Sequence, residues 1–586
     1  GDTVYQGQFD TSDWVGDLIA TPLNVSTTND VTIGATYKWT AATQLKALIS
    51  PATSRNIYVG NRGATANPVA APFLWATPAG TAGIENSLRT DLDKPSPTLS
   101  ADGYAEKRLN FLRGDPLDEG TLFRRRRFIL GDIVNSGVAY SGAPTTSIQG
   151  GTYASFYNTY KTRTAAVFVG ANDGMMHAFN AETGNELFAY IPSWLGPKLS
   201  ALSGTGYANN HQSYVDGTPT VSEALVGNSG TSADWKTVLV SGTGAGGRGV
   251  FALDVTDPTA FSAASAMWEF TQLDDPDMGF VVGKPQILKM RTSAPGSTAT
   301  YKYFAVVASG VNNYADDGAG NFSTTGKPAL FLLDLAKSTG VAWQQGTNYY
   351  KISFPFDSTL ALTTPTGMLN FRIAVGNSRE VTQIYAGDLH GNLWKLDFSL
   401  YGASDWNINK LSYFNKGTIA LPEPYPMYIA KDGSGNIQPI SAAPSLVAGT
   451  SADTTYVVFG TGKYLEVSDK SNTAVQSVYM VYDTGSSSAD SSPIGSSAII
   501  SRARLQAGTA SASGTTIPAF TLGRASTDTA VIRSGWYFDL PLSKERQIYD
   551  GVPLGSSNIV SFNSLVPGAS TASGNCTASG GFGRTY

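Results

Sequence analysis

Cysteine is nearly absent: Cys576 is the single one in 586 residues. No disulfide can close within the chain, and no cysteine-based metal site can form. Histidine is almost as scarce. His177, His211 and His390 are scattered, and no HExxH helix, GxSxG elbow or Walker loop accompanies them. Glycine-rich GTGAGGRG (Gly242–Gly249) lacks the GK[ST] ending of a phosphate loop and is read as a hairpin connection. Charge is sparse too, at 15% of residues, against roughly 25% in an average globular protein. With a net charge of -5, no broad basic field exists to draw in nucleic acid or an anionic membrane. The one dense basic run, Arg124–Arg127 in LFRRRRFILGD, lies between apolar residues and is read as bracing a strand edge or pairing with carboxylates. No apolar stretch approaches the roughly 20 residues that span a bilayer. Gly1-Asp2-Thr3 opens straight into strand-like sequence without a signal peptide, so the chain reads as a mature or trimmed piece of something longer. The scarcity of cysteine and charge favours an exported protein.

What replaces charge is Ser, Thr, Ala and 63 glycines, while 41% hydrophobic and 11% aromatic residues suffice for a large core. The apolar residues are organised as a repeat. VFVGANDGMMHAFNAETGNELFAYIP (Val167–Pro192) reads as strand, tight Asn-Asp-Gly turn, strand, Glu-Thr-Gly turn, strand. Echoes follow at Val238–Val255, Phe304–Gly340, Ile384–Phe398 and Val457–Asp483. Reiterated antiparallel units of this kind predict an all-β protein built as a β-propeller. Strand openings such as YVDGTPTV, VVGKPQI and QPISAAP recur at roughly 65–80 residues, wider than in compact propellers, so the surplus is assigned to long inter-strand loops.

Residues 1–110 lack the repeat. Val4–Val25 alternates like a hairpin turning at Asp10–Asp13, and Tyr37–Ile49 has helical spacing ended by Ser50-Pro51. Gly103–Gly114 is a candidate short helix stopping at Gly114. This region is read as a small mixed opening segment packed on the propeller and able to lend it a strand. Residues 111–570 are assigned to the propeller and 571–586 to a flexible glycine-rich tail.

LRGDPLDEGTLFRRRRFILGDIVNSG, GAGGRGVFALDVTDP, YAGDLHGNLWKLD and GWYFDLP, in that order and together with the phrases above, resemble the C-terminal domain of the PilY/PilC family. That family comprises tip-associated adhesins and assembly factors of bacterial type IV pili. The resemblance implies a modified, quinoprotein-like propeller of about seven blades, although the motifs counted alone give five or six. It implies a non-enzymatic protein, exported through the periplasm to the cell surface and pilus tip. Its expected partners are minor pilins and a host-cell or abiotic surface, with no nucleic acid, and a variable N-terminal region would precede it. A quinone-dependent dehydrogenase is the enzyme alternative, and a purely structural outer-membrane scaffold is a third reading. The disulfide of adjacent cysteines on which many quinoproteins stack their cofactor cannot form here.

Many family members carry a calcium loop just before the YAGDL phrase. Calcium needs six to eight oxygen ligands, and the stretch before Tyr385 offers only Asn377, Ser378 and Glu380, so that site is expected to be degenerate. Two other loops are calcium candidates: Asp316, Asp317 and Asn321 in NNYADDGAGNF, and Asp432, Ser434 and Asn436 in KDGSGNIQ. Neither has the bidentate glutamate that closes an EF-hand loop, so solvated turns are the alternative. Arg113-Gly114-Asp115 spells an integrin-recognition tripeptide and is an adhesion candidate, weighed against a structural turn beside the apolar Phe111 and Leu112.

Overall fold

The period-two alternation at the start of the chain forms a hairpin. Thr3–Asp10 pairs antiparallel with Val15–Val25, in register from Thr3↔Pro22 to Asp10↔Val15. In this computed structural model, residues 2–76, 82–314, 326–451, 454–485, 500–511, 513–523, 531–555, 558–568 and 581–586 are described. They divide into two compact units. The first holds 1–289, 302–307 and 332–350, and the second holds 290–301, 308–331 and 351–586.

In the first unit the hairpin packs Leu18 and Ala20 against Trp39, Leu45, Val167 and Phe179. The predicted helix over Tyr37–Ile49 is shorter than its spacing suggested. Trp39–Thr40 is a strand fragment, and the helix runs Ala41–Lys46 with Thr40 as its N-cap. Pro51 then opens a separate turn, Pro51–Ser54, since proline fits the first helical position. The Ala105–Arg113 helix stops at Gly114, whose φ of 114° lies in the left-handed region that favours glycine.

The long repeat forms the middle of a six-stranded sheet ordered Ala70–Pro72, Ile57–Gly60, Glu186–Ile191, Met176–Asn180, Ala166–Gly170, Ala139–Ser141. The opening segment lends this sheet two strands, and Ile57–Gly60 runs parallel to Glu186–Ile191. Ala166–Gly170 is buried throughout, which explains why it reads as a continuous apolar run rather than an alternation. The Asn172-Asp173-Gly174 turn is closed by Ala171 N donating to Met175 O at 3.0 Å, and Gly174 has φ 93°. A second sheet is an antiparallel meander of Thr220–Leu225, Trp235–Gly242, Gly249–Asp254 and Ala266–Thr271. The GAGGRG phrase joins its middle strands. A Cβ at Gly246 would stand 1.6 Å from Tyr214 O, so only glycine fits there. The loop after Ala139–Ser141 contains a ten-residue helix, Gly151–Tyr160, that buries Tyr153 and Phe156 against Trp235.

Strands Gln286–Arg291, Tyr301–Ala308, Ala329–Asp334 and Tyr349–Ser353 carry residues of both units. The second unit contains two five-stranded sheets. One is ordered Gly310–Val311, Gly367–Val375, Val381–Asp388, Asn392–Asp397, Tyr428–Ile429. The other is ordered Ser445–Ala448, Thr455–Gly460, Ser477–Asp483, Gly535–Asp539, Gln506–Ala507. GWYFDLP thus supplies a strand of the last sheet. Tyr385, Leu393, Phe459, Tyr479 and Val481 belong to one core in this unit.

Candidate functional site

Sparse charge makes each buried ionic group conspicuous. In the first unit Arg55 donates through Nε and Nη2 to both oxygens of Glu186, at 2.8 and 2.9 Å. The other face of Glu186 meets His177 Nδ1 at 2.7 Å, and His177 Nε2 lies 2.8 Å from Asp173 Oδ2. Asp173 also accepts from Gly131 N and Met175 N. Burial opposes charge on His177, but Asp173 and Glu186 override it and lift the imidazole to about 9. Burial likewise pushes Glu186 up, and Arg55 and His177 outweigh it and hold the carboxyl at about 2. The chain Arg55–Glu186–His177–Asp173 is a paired ionic clamp between the opening segment and the repeat. Both faces of His177 are occupied by carboxylates, which makes it a structural group. Removing one partner from such a set leaves a buried charge uncompensated.

The arginine run is spent similarly. Arg124 Nε donates to Leu202 O at 2.7 Å, and Arg126 Nε donates to Glu119 at 2.8 Å over the Phe111 ring. Arg127 pairs with Asp10 and Asp13. Of the adhesion tripeptide, Arg113 is only 1% exposed. Its guanidinium donates to the carbonyls of Ala52, Phe73 and Arg55. Gly114 caps the helix, and Asp115 Oδ1 accepts from Leu117 N at 3.0 Å. Phe111 and Leu112 are buried. The arginine therefore ties the helix end into the first unit, and a ligand at this turn would not meet its guanidinium.

The calcium candidates separate. Asp316, Asp317 and Asn321 lie outside the described residues. Asp432, Ser434 and Asn436 share a turn in which Asp432 Oδ1 accepts from Ser434 N at 2.8 Å and Asn436 N at 2.9 Å. Asp432 Oδ2 accepts from the Asn436 amide at 3.0 Å. This is a self-closed Asx turn. Asn436 also lines a cavity of about 280 Å³ with Leu389, Lys463, Gln476 and Arg546. The stretch before Tyr385 forms a tight hairpin end: Gly376 N donates to Glu380 O at 2.8 Å and Arg379 N to Gly376 O at 3.0 Å. No group of three or more His, Cys, Asp or Glu with metal-binding geometry occurs among the described residues.

The YAGDLHGNLWKLD phrase builds a buried polar corner in the second unit. Asp388 accepts from His390 N, Asn392 N and Trp394 Nε1, so its carboxylate shapes its own turn. Lys395 pairs with Asp483 at 2.8 Å, and Tyr385 donates its hydroxyl to Asp483 at 2.6 Å. Sequence reasoning missed this pair, the Arg55–Glu186 clamp and Glu269. Glu269, in Ala266–Thr271, accepts from Tyr190 Oη at 2.6 Å, from Ser193 N at 2.9 Å and from the Ser193 hydroxyl. Burial pushes its carboxyl up to about 7. The available signal was a lone acid inside an otherwise apolar strand, AMWEFT and ELFAYI.

A family model described as the PilY1 beta-propeller domain matches residues 130–512. The chain is 34% identical over 498 residues to the type IV pilus biogenesis factor PilY1 of Pseudomonas aeruginosa, covering 82% of this chain and 38% of that protein. It is 34% identical over 505 residues to a PilY1 homolog of Xylella fastidiosa, covering 82% of this chain and 30% of the relative. The crystal structure of the Pseudomonas aeruginosa PilY1 C-terminal domain is similar at a TM-score of 0.52 and 28% identity, covering 73% of this chain and 83% of that one. The fold is that of a β-propeller domain. The chain belongs to the PilY1 β-propeller family, and spans well under half the length of these two relatives.

Proposed function

We propose that this chain is the propeller region of a type IV pilus biogenesis factor that acts at the cell surface by binding. It supports pilus assembly by docking onto minor pilins at the pilus tip, and it contacts a host-cell or abiotic surface. The observation that carries this reading is the 34% identity, sustained over 498 residues, to a protein named for pilus biogenesis. The chemistry described above agrees with a binder. His177 is held between two carboxylates, and Asp388 and Asp483 are engaged by their own neighbours. Strand edges supply a docking mode, since an extended segment can add to an open sheet. Thr3–Asp10, eight residues long and at the end of its sheet, is such an edge.

Deleting the gene and restoring it with and without residues 1–586 tests the reading. Loss of surface pili that only the restored form reverses, with minor pilins co-purifying, is expected. Wild-type piliation without the protein would remove the proposal. A quinone absorbance band with dye-linked alcohol oxidation in the purified protein would replace it with the dehydrogenase alternative.

A further inference from the structure

The first unit opens a groove of about 370 Å³ between the C-terminal turn of the Gly151–Tyr160 helix and the strands Trp235–Gly242 and Gly249–Asp254. Its size lies within the range of small-ligand sites. The floor is aromatic. Phe156 and Trp235 are buried, and Tyr160 packs 5.0 Å from Phe156 while keeping part of its surface open. The Trp235 indole is pinned by its N–H donating to Thr152 Oγ1 at 3.0 Å, and Tyr153 packs edge-on against it at 4.8 Å. This platform is therefore rigid. The walls are polar, with the hydroxyls of Thr159 and Ser232 and the carboxylate of Asp257 beside the rings.

The groove's charges narrow its ligand. Lys236 is held by Asp254 Oδ2 at 2.7 Å, and Asp254 Oδ1 accepts from Thr256 N and Oγ1. That pair cancels in charge and leaves the Asp257 carboxylate as the groove's net charge, so the groove offers an anion little. Asp257 uses Oδ1 to accept from Thr259 N and Oγ1, leaving Oδ2 outside those bonds. An exposed carboxylate repels phosphates and acidic sugars. The Thr159 hydroxyl donates to Ser155 O and Asp257 Oδ1 is engaged, but a long apolar ligand would strip water from Asp257 Oδ2 and offer it no donor. A pyranose ring answers both surfaces, since one face is a patch of C–H groups that stacks on an aromatic ring and its edge carries hydroxyls.

We infer that this groove binds a neutral glycan, stacking a hexopyranose on Tyr160 and taking its hydroxyls on Thr159, Ser232 and Asp257. The geometry serves binding rather than hydrolysis: glycosidases need two working carboxyl groups flanking the bond, and both oxygens of Asp254 are already engaged. The inference deepens the surface-contact part of the function proposed above and rests on it.

Saturation-transfer NMR on the purified chain tests it, with methyl α-mannoside, methyl β-galactoside and N-acetylglucosamine as neutral probes and sialyllactose as the acidic one. At least one neutral probe is expected to bind. Its affinity should fall by about tenfold or more in Tyr160→Ala, and also in Ala233→Trp, which fills the groove from an exposed position. Both variants should keep the wild-type circular dichroism spectrum. Binding of sialyllactose alone, binding of none of the probes, or unchanged affinity in both folded variants overturns the inference. Pilus counts in a strain carrying Ala233→Trp keep the two readings apart. If pili persist in that strain and vanish on gene deletion while no sugar binds, the glycan inference alone falls. If pili are normal even on deletion, the pilus reading falls.

Discussion

Replacing His177 with glutamine should make the stability of the first unit respond differently to pH. In the folded protein the imidazole is raised from an ordinary 6.5 to about 9, because Asp173 and Glu186 outweigh the cost of burial. A group raised in this way contributes stability that is fully present below 6.5 and is lost as pH rises through about 9. At about 1.4 kcal/mol per tenfold change, the rise amounts to about 3 kcal/mol. His177 is fully buried, so solvent screening removes little of this. Glutamine cannot carry the charge, so the gap between wild type and His177→Gln should be widest near pH 6. It should shrink by about 2–3 kcal/mol by pH 9.5. Urea denaturation followed by tryptophan fluorescence at both pH values measures the gap. Comparing two proteins at each pH cancels the titration of other lysines and tyrosines. A gap of the same size at both pH values would refute the ionic account of the clamp, even if the variant were less stable throughout.

Other outcomes follow from the same geometry. Glu269→Gln should gain stability relative to wild type as pH rises from 4.5 through 7, because a carboxyl lifted to about 7 costs stability once it must ionise; denaturant midpoints at pH 5 and 8 report this. Gly174→Val should cost about 1–3 kcal/mol in backbone strain, since φ is 93° and a Cβ would stand 2.9 Å from Leu199; thermal melting checks it. Arg113→Ala should cost at least about 2 kcal/mol by leaving two buried carbonyls and one half-buried carbonyl without their donor, whereas Asp115→Glu should leave host-cell adhesion unaltered. Calorimetric titration of calcium into chelated protein should give the same heat for wild type and Asp432→Ala, because that carboxylate already accepts from its own turn; a heat lost in the variant would make the loop a calcium site.

Strands were legible where local chemistry dictates them. The apolar runs around Asn172-Asp173-Gly174 and the YAGDLHGNLWKLD hairpin fold as their turn residues require. Gly114 ends its helix as expected. Long-range partners were not legible. Ile57–Gly60 carries no sign that it will run parallel to Glu186–Ile191, because that pairing is set by tertiary packing across more than a hundred residues. The Gly151–Tyr160 helix was hidden among residues of modest helix propensity, and burial of Tyr153 and Phe156 on Trp235 decides it. The RGD tripeptide shows the converse. As text it suggests an exposed loop, but Arg113 sits where three carbonyls need a donor. The ionic clamp could be suspected only from single acids in apolar strands, since nothing local couples Arg55 to Glu186.

The claim that this propeller serves pilus assembly by binding is tested most directly by capture. The immobilised 586-residue chain is exposed to an extract of pilin-expressing cells with the native gene deleted, and retained proteins are identified by mass spectrometry. Minor pilins retained above a denatured-chain control are the predicted result. Retention of no pilin, alongside normal pili in the deletion strain, would contradict it.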